Sequence, residues 1–387
     1  MNGFRALLVA QFLSAFVDNM ILFVAQAILV RDAFPGWYLQ LVQATFLFAY
    51  ILLSPWAGRI ADRFAKRLVL IGGNVVKCGG VGLLLAGADP AIGYAVVGVG
   101  AVLYSPAKYG ILPFLANSDQ QLLQANAQVE GTTILAILAG AVAGGWLADH
   151  SIILALTVCI LFYVGSATLC LGIPSDPYNS DIMFRNAIPD FLRDLSRVLQ
   201  VPRGRFSLLG TGGFWMASAV LRLAVFSWLP VAFGIRDNTT IGLMITLSGV
   251  GLVVGAALTP RLIPVGHTIR VIGCGALMGS CLLLLPWSPG LTLALLIQTI
   301  CGSFGGMYVI PLNAMLQRVG EQTVGTGKIV AIQNFAENTL MLAGVLAFLA
   351  ASMTGVPVVW SMSANGLVLL LIVAKLYLQQ QSCRTNA

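Results

Sequence analysis

Long apolar runs broken by short polar segments run the length of the chain. Windows bounded by Gly, Pro or charge fall near 4–30, 38–57, 68–87, 91–114, 131–148 and 151–172. After a polar stretch a second set follows near 206–232, 240–260, 268–286, 291–314, 328–350 and 356–378. Each run is about 20 residues, the length a helix needs to cross the hydrocarbon core of a bilayer. A membrane barrel would instead read as alternating segments of about 10 residues. The pattern predicts an all-α membrane protein of twelve transmembrane helices.

Composition agrees: of 387 residues, 58 % are hydrophobic and only 9 % are charged. One water-soluble core cannot bury that much apolar surface, so most of it must face lipid. The first run carries Gln11, Asp18 and Asn19 and meets no small-residue cleavage site, so it is expected to stay as a helix. Seven cysteines are scattered without CxxC or Cys/His spacing, which reads as packing, with no metal and no cofactor expected. The net charge of +7 lies in short loops between spans, so topology explains it and nucleic acid is not expected as a partner.

Lys and Arg accumulate in cytoplasmic loops, and an even number of spans puts both termini on one side. Of the 21 basic residues, sixteen fall on the side of Arg5, Arg59, Arg185 and Arg270, against Arg31 and Arg236 on the other. Both termini are therefore expected in the cytoplasm. Three bases remain inside spans: Lys77, Lys108 and Arg222.

The longest polar stretch divides the chain into an N-terminal six-helix bundle (1–172), a cytoplasmic linker (173–205) and a C-terminal six-helix bundle (206–387). Within the linker, Pro189 opens an amphipathic helix. Its Ile188, Phe191, Leu192, Leu195, Val198 and Leu199 share a face opposite Arg193, Asp194 and Arg197. The segment reads as a surface helix with no duty beyond that of a tether.

An internal repeat supports the division. Pro55 and Pro260, and Pro106 and Pro311, lie 205 residues apart, while Gly140 and Gly344 lie 204 apart. Ser14, Ala15 and Asp18 return 204 residues later as Ser218, Ala219 and Arg222. Two parallel, pseudo-symmetric halves are implied, the architecture of the major facilitator superfamily.

Asp18, Lys108, Arg222 and Glu337 fall mid-span. At about 2.5–3.5 kcal/mol per charge facing lipid, they must face each other or a hydrated cavity. Asp18 and Arg222 occupy equivalent places in opposite halves, so an ion pair that gates the cavity is expected. Gln11, Asn19, Asn313, Gln333, Asn334 and Asn338 surround these charges with amides able to bind a zwitterion. Lys77 and Glu130, nearer span ends, read as snorkelling or helix-packing groups. Gly140, Gly144 and Gly145 suit a close helix contact.

The segment GRIADRFAKR, with Gly58, Asp62, Arg63, Lys66 and Arg67, resembles the loop signature of the major facilitator superfamily. In that family the acid docks near a helix end and steadies the outward-facing state. The corresponding loop after Pro260 keeps Arg261 but lacks the acid. AQFLSAFVDN from Ala10, YSPAKYGIL from Tyr104, PLNAMLQ from Pro311 and IQNFAEN from Ile332 are similar to the bacterial lysophospholipid transporter (LplT) family.

That resemblance implies a flippase, not an enzyme. It would move lysophosphatidylethanolamine and related lysophospholipids from the outer to the inner leaflet of the bacterial inner membrane by alternating access. It further implies a monomer among membrane lipids, coupled in function to a lysophospholipid acyltransferase. The residues matched to the family's motifs are Asp18, Asn19, Lys108, Arg222 and Glu337. The alternative on the same fold is a proton-coupled exporter of amphipathic drugs. A lipid-modifying enzyme is disfavoured, because the chain has no HExxH or GxSxG and only two histidines, His150 and His267.

Overall fold

Backbone amides inside a bilayer have no water to bond, so each apolar run must close its hydrogen bonds internally as a helix. A computed structural model describes residues 3–116, 119–176, 178–263 and 267–385; the side chain of Glu130 lies outside the described ones. Its elements are α1 (Gly3–Arg31), α2 (Tyr38–Arg63), α3 (Lys66–Leu85), α4 (Pro90–Gly110), the short α5 (Leu112–Leu115), α6 (Asp119–His150) and α7 (Ile152–Cys170). The linker helix α8 (Ala187–Gln200) follows. Then come α9 (Pro202–Phe233), α10 (Asn238–Leu262), α11 (Thr268–Leu284), α12 (Leu291–Thr323), α13 (Thr326–Met353) and α14 (Val358–Thr385).

Twelve helices among the described residues are long and apolar enough to cross a membrane, matching the twelve expected spans. Several overrun them: α2 continues to Arg63, α12 to Thr323, and α6 starts at Asp119. Apolarity is needed only within the lipid, whereas a helix goes on saturating its backbone beyond it, so hydropathy marks the bilayer and not the helix ends. Where ends are sharp, a cap is present. Asp89 accepts from the amide of Ala91 at 2.8 Å, with Pro90 behind it, and Ser151 accepts from that of Leu154 at 3.2 Å.

The chain divides into two compact units, Met1–Arg193 with Asp237–Gly242, and Asp194–Arg236 with Leu243–Ala387. In the first, α1 packs on α6 and α7, α3 on α4 and α7, and α2 on α4. In the second, α9 packs on α13 and α14, and α11 on α12 and α14. These four repeat four of the first unit's five, one repeat apart, and Gly251 and Gly255 of α10 lie against Thr299 and Ser303 of α12, where the fifth would fall. The landmark prolines also fall at equivalent places inside helices: Pro55 in α2 and Pro260 in α10, Pro106 in α4 and Pro311 in α12. Gly140 of α6 meets the Phe16 carbonyl of α1, Gly144 meets Met20, and Gly344 of α13 meets Met216 of α9. A side chain at Gly140 or Gly144 would run into backbone and force the helices apart, whereas at Gly344 it would meet side chains only.

The linker departs from a plain tether, because its side chains bind both the signature loop and the second unit's own helices. Lys66 donates to Asp176 through its backbone amide at 2.7 Å and its ammonium at 2.8 Å. Arg59 bonds Asp190 at 2.5 Å and the Met183 and Asn186 carbonyls, and Arg63 bonds the Ile182 carbonyl at 2.8 Å with its guanidinium over Phe184. Within the second unit, Asp194 pairs with Lys328 at 2.8 Å. Asp194 is therefore buried beside Val198, while Ile188, Leu192 and Leu199 are exposed. The expected face is thus split: the ion pair turns Asp194 inward and leaves part of the apolar stripe outward.

Candidate transport site

In the first unit, the polar residues of three helices converge on Asp18. Its Oδ2 accepts from Lys77 Nζ of α3 at 2.7 Å and its Oδ1 from the Tyr163 hydroxyl of α7 at 2.7 Å. Lys77 is 1 % exposed, whereas the Asp18 carboxylate remains 23 % exposed. Of the two readings of Lys77, snorkelling and helix packing, the first is thereby set aside and the second kept. Reaching the interface would leave Asp18 uncompensated, and a buried charge that loses its partner costs about 3–5 kcal/mol. The counter-ion expected from Arg222 is supplied, at Asp18, from within the same unit.

Behind the pair runs a directed chain of hydrogen bonds. Lys77 Nζ donates to Ser14 Oγ at 2.9 Å, Ser14 to Asn74 Oδ1 at 2.9 Å, Asn74 to Ser166 at 2.8 Å, and Ser166 to the Ala10 carbonyl at 2.7 Å. A carbonyl only accepts, so each hydroxyl proton upstream is committed and Ser14 meets Lys77 as an acceptor. The rings of Tyr104 and Tyr163 lie 4.9 and 5.4 Å from the same ammonium.

Other expected residues of this unit lie apart from that cluster's bonds. Gln11, fully buried, donates to Thr133 Oγ1 of α6 at 2.5 Å. Asn19 turns back to the Ala15 carbonyl at 2.9 Å, and Lys108 lies 4.3 Å over the ring of Tyr109. In the signature loop, the Asp62 side chain is exposed and its carbonyl accepts from the amide of Asn179 at 3.1 Å. Gly58 has open space around it, and Arg67 is partly buried.

The second unit gathers a different set. Gln333 Nε2 donates to Glu337 Oε1 at 2.8 Å and to Asn313 Oδ1 of α12 at 2.9 Å. Glu337 is 8 % exposed, and among the described residues of this unit no Lys or Arg forms an ion pair with it. Asn338 bonds the Asn334 carbonyl of its own helix at 2.7 Å, and Arg222 is partly buried on α9. The repeat relates these positions: Glu337 lies 204 residues from Thr133 and Asn313 lies 205 from Lys108. At each equivalent address, one unit holds a charge and the other a neutral polar group or the opposite charge.

Lys77, Tyr163, Asn74, Ser14 and Ser166 were not among the expected site residues. Two spacings carried the signal. Ser14 and Asp18 stand one turn apart on α1, and Asn74 and Lys77 three residues apart on α3, each a polar pair on one face of an apolar helix.

The sequence profile of the Major Facilitator Superfamily matches residues 7–345. Relatives named lysophospholipid transporter LplT align over almost the whole chain. That of Photorhabdus laumondii is 38 % identical over 380 residues, 97 % of this chain and 95 % of the relative. That of Salmonella arizonae is 39 % identical over 384 residues, 98 % and 96 %. The chain belongs to the LplT family of the Major Facilitator Superfamily. Solved structures agree on the fold alone. A bacterial homologue of the human lysosomal transporter Spinster gives a TM-score of 0.72 at 14 % identity, covering 98 % of this chain and 96 % of that one. The nucleoside transporter NupG gives 0.70 at 13 %, covering 97 % and 100 %. As an LplT-family protein it is a multi-pass membrane protein of a transporter superfamily, as the resemblance of its motifs implied.

Proposed function

We propose that this chain moves lysophosphatidylethanolamine and related lysophospholipids from the outer to the inner leaflet of a bacterial inner membrane by alternating access. Both termini lie in the cytoplasm, where sixteen basic residues gather in the loops. It works as a monomer and not as an enzyme, and a lysophospholipid acyltransferase consumes what it delivers.

The observation that carries this reading is a carboxylate, Asp18, that pairs with Lys77 inside an apolar unit and still keeps 23 % of its side chain exposed. An acid kept at that depth with one edge open suits a ligand ammonium. Each unit supplies one acid and one base for a zwitterionic headgroup: Asp18 and Lys108 in the first, Glu337 and Arg222 in the second. The amine meets Asp18 or Glu337 and the phosphate Arg222 or Lys108, with Gln11, Asn19, Asn313, Gln333 and Asn338 as neutral contacts. The single acyl chain stays among apolar side chains. The signature residues Gly58, Asp62, Arg63, Lys66 and Arg67 act in the conformational change, held by the linker.

Uptake of labelled lysophosphatidylethanolamine into proteoliposomes tests the proposal. Saturable uptake that survives collapse of the proton gradient is the expected result, and no uptake of any lysolipid would reject it. One observation favours the second reading, a proton-coupled exporter: Glu337 is buried among amides without a cation of its own unit. Transport that stops with the gradient would select that reading.

A further inference from the structure

We infer that Lys77 is a selectivity residue, a positioning group whose charge cancels that of Asp18 so that headgroups without an amine are accepted alongside zwitterions. The inference rests on the lysolipid reading above.

Three features of the structure support it. First, Lys77 is 1 % exposed and so does not itself reach a substrate; it acts through Asp18. Second, the hydrogen-bond chain ending on the Ala10 carbonyl leaves Ser14 only as an acceptor, so Lys77 Nζ is held between two acceptors, Ser14 Oγ and Asp18 Oδ2, and stays directed at the carboxylate. Third, Tyr163 and Lys77 occupy one oxygen each of a carboxylate that is still 23 % exposed. A headgroup that arrives there meets an acid already compensated. A phosphodiester carrying net negative charge is not repelled, and one carrying an ammonium still finds a polar edge. Without Lys77, the same edge presents a bare negative charge. At a separation of about 8 Å and an effective dielectric near 20, one uncancelled charge shifts the balance between a zwitterion and an anion by at least about tenfold.

The equivalent address in the other repeat strengthens the case that the lysine is specific to this site. One repeat of 204 residues beyond Lys77 stands Cys281, and beyond Asp18 stands Arg222. The first unit thus carries an acid with a dedicated base behind it. The second carries a base at the acid's place and a cysteine at the lysine's.

The test uses full-length protein in proteoliposomes and two probes, 1-acyl-lysophosphatidylethanolamine and 1-acyl-lysophosphatidylglycerol, with initial rates taken across a concentration series. For Lys77→Met, the ratio of glycerol-headgroup to ethanolamine-headgroup uptake is expected to fall at least about tenfold, mainly through KM. Lys77→Arg should return the ratio to within about twofold of the parent's. Equal loss for both probes, or a ratio that Lys77→Arg does not restore, overturns the inference and leaves Lys77 a purely structural partner. Should Lys77→Met fail to accumulate in the membrane, Asp18→Asn carries the test with opposite sign. In equilibrium binding to protein in nanodiscs, its preference for the anionic probe should rise about tenfold, and an unchanged preference overturns the proposal. Failure of the parent protein to take up either probe would instead reject the lysolipid reading itself.

Discussion

Each unit holds a carboxylate in the middle of a membrane-spanning helix, Asp18 in the first and Glu337 in the second, yet they hold it in opposite ways. Asp18 has a cation at 2.7 Å and a phenol at 2.7 Å, backed by four further hydrogen bonds across three helices. Glu337 has amides: Gln333 from its own helix, and through it Asn313. A charge compensated by a charge is locked, since removing either partner strands the other in a low dielectric. A carboxylate held by amides has no buried counter-ion to strand. The same fold, repeated, thus provides one fixed electrostatic element and one adjustable one.

The largest expected effect breaks the first half of that contrast. Asp18→Leu should destabilise the purified protein by about 3–5 kcal/mol, read as a drop in thermal unfolding temperature in detergent, because Lys77 is left buried and alone. Adding Lys77→Met to it should recover most of the loss, and a double variant no more stable than Asp18→Leu would show the two residues to be uncoupled. Glu337→Gln keeps the shape and the bond to Gln333, so its stability should stay within about 1 kcal/mol of the parent while lysolipid uptake falls at least about tenfold. Equal destabilisation by the two carboxylate replacements would erase the distinction drawn here.

Packing offers a milder version of the comparison. Gly140 faces a backbone carbonyl, that of Phe16, while Gly344 faces the flexible side chain of Met216. Backbone cannot yield and a methionine can, so Gly140→Ala should cost about 1–3 kcal/mol and Gly344→Ala under about 1 kcal/mol, measured by the same unfolding experiment. The smallest effect belongs to the linker. Arg59→Ala removes a bond to Asp190, whose side chain is 39 % exposed, so the change should stay within about 1 kcal/mol while cleavage near 180–186 by added protease accelerates.

Much of this arrangement was legible in the sequence, for identifiable reasons. Spans follow from hydropathy because the bilayer imposes a length, and the repeat followed from prolines and glycines because those residues are tied to backbone geometry. Asp18, Glu337, Gln333 and Asn313 stood out because polar groups mid-span need an explanation. For Lys77 snorkelling and helix packing stayed open, because its distance from a span end resembles that of a snorkelling lysine and its partner lies 59 residues away on another helix. Burial of a long side chain depends on which neighbour it meets, which no periodicity encodes. The inward turn of Asp194 escaped notice for the same reason, since the cation that draws it in, Lys328, is 134 residues distant.

The boundary between the two units falls between Arg193 and Asp194, in the middle of the unbroken helix α8. On one side of it Asp190 grips Arg59, and one turn later Asp194 grips Lys328. A coil at that place would let each part drift with little resistance, as a slack rope does. A helix instead fixes the bearing of every residue along it, so within each unit the ionic anchor decides which side of α8 that unit meets.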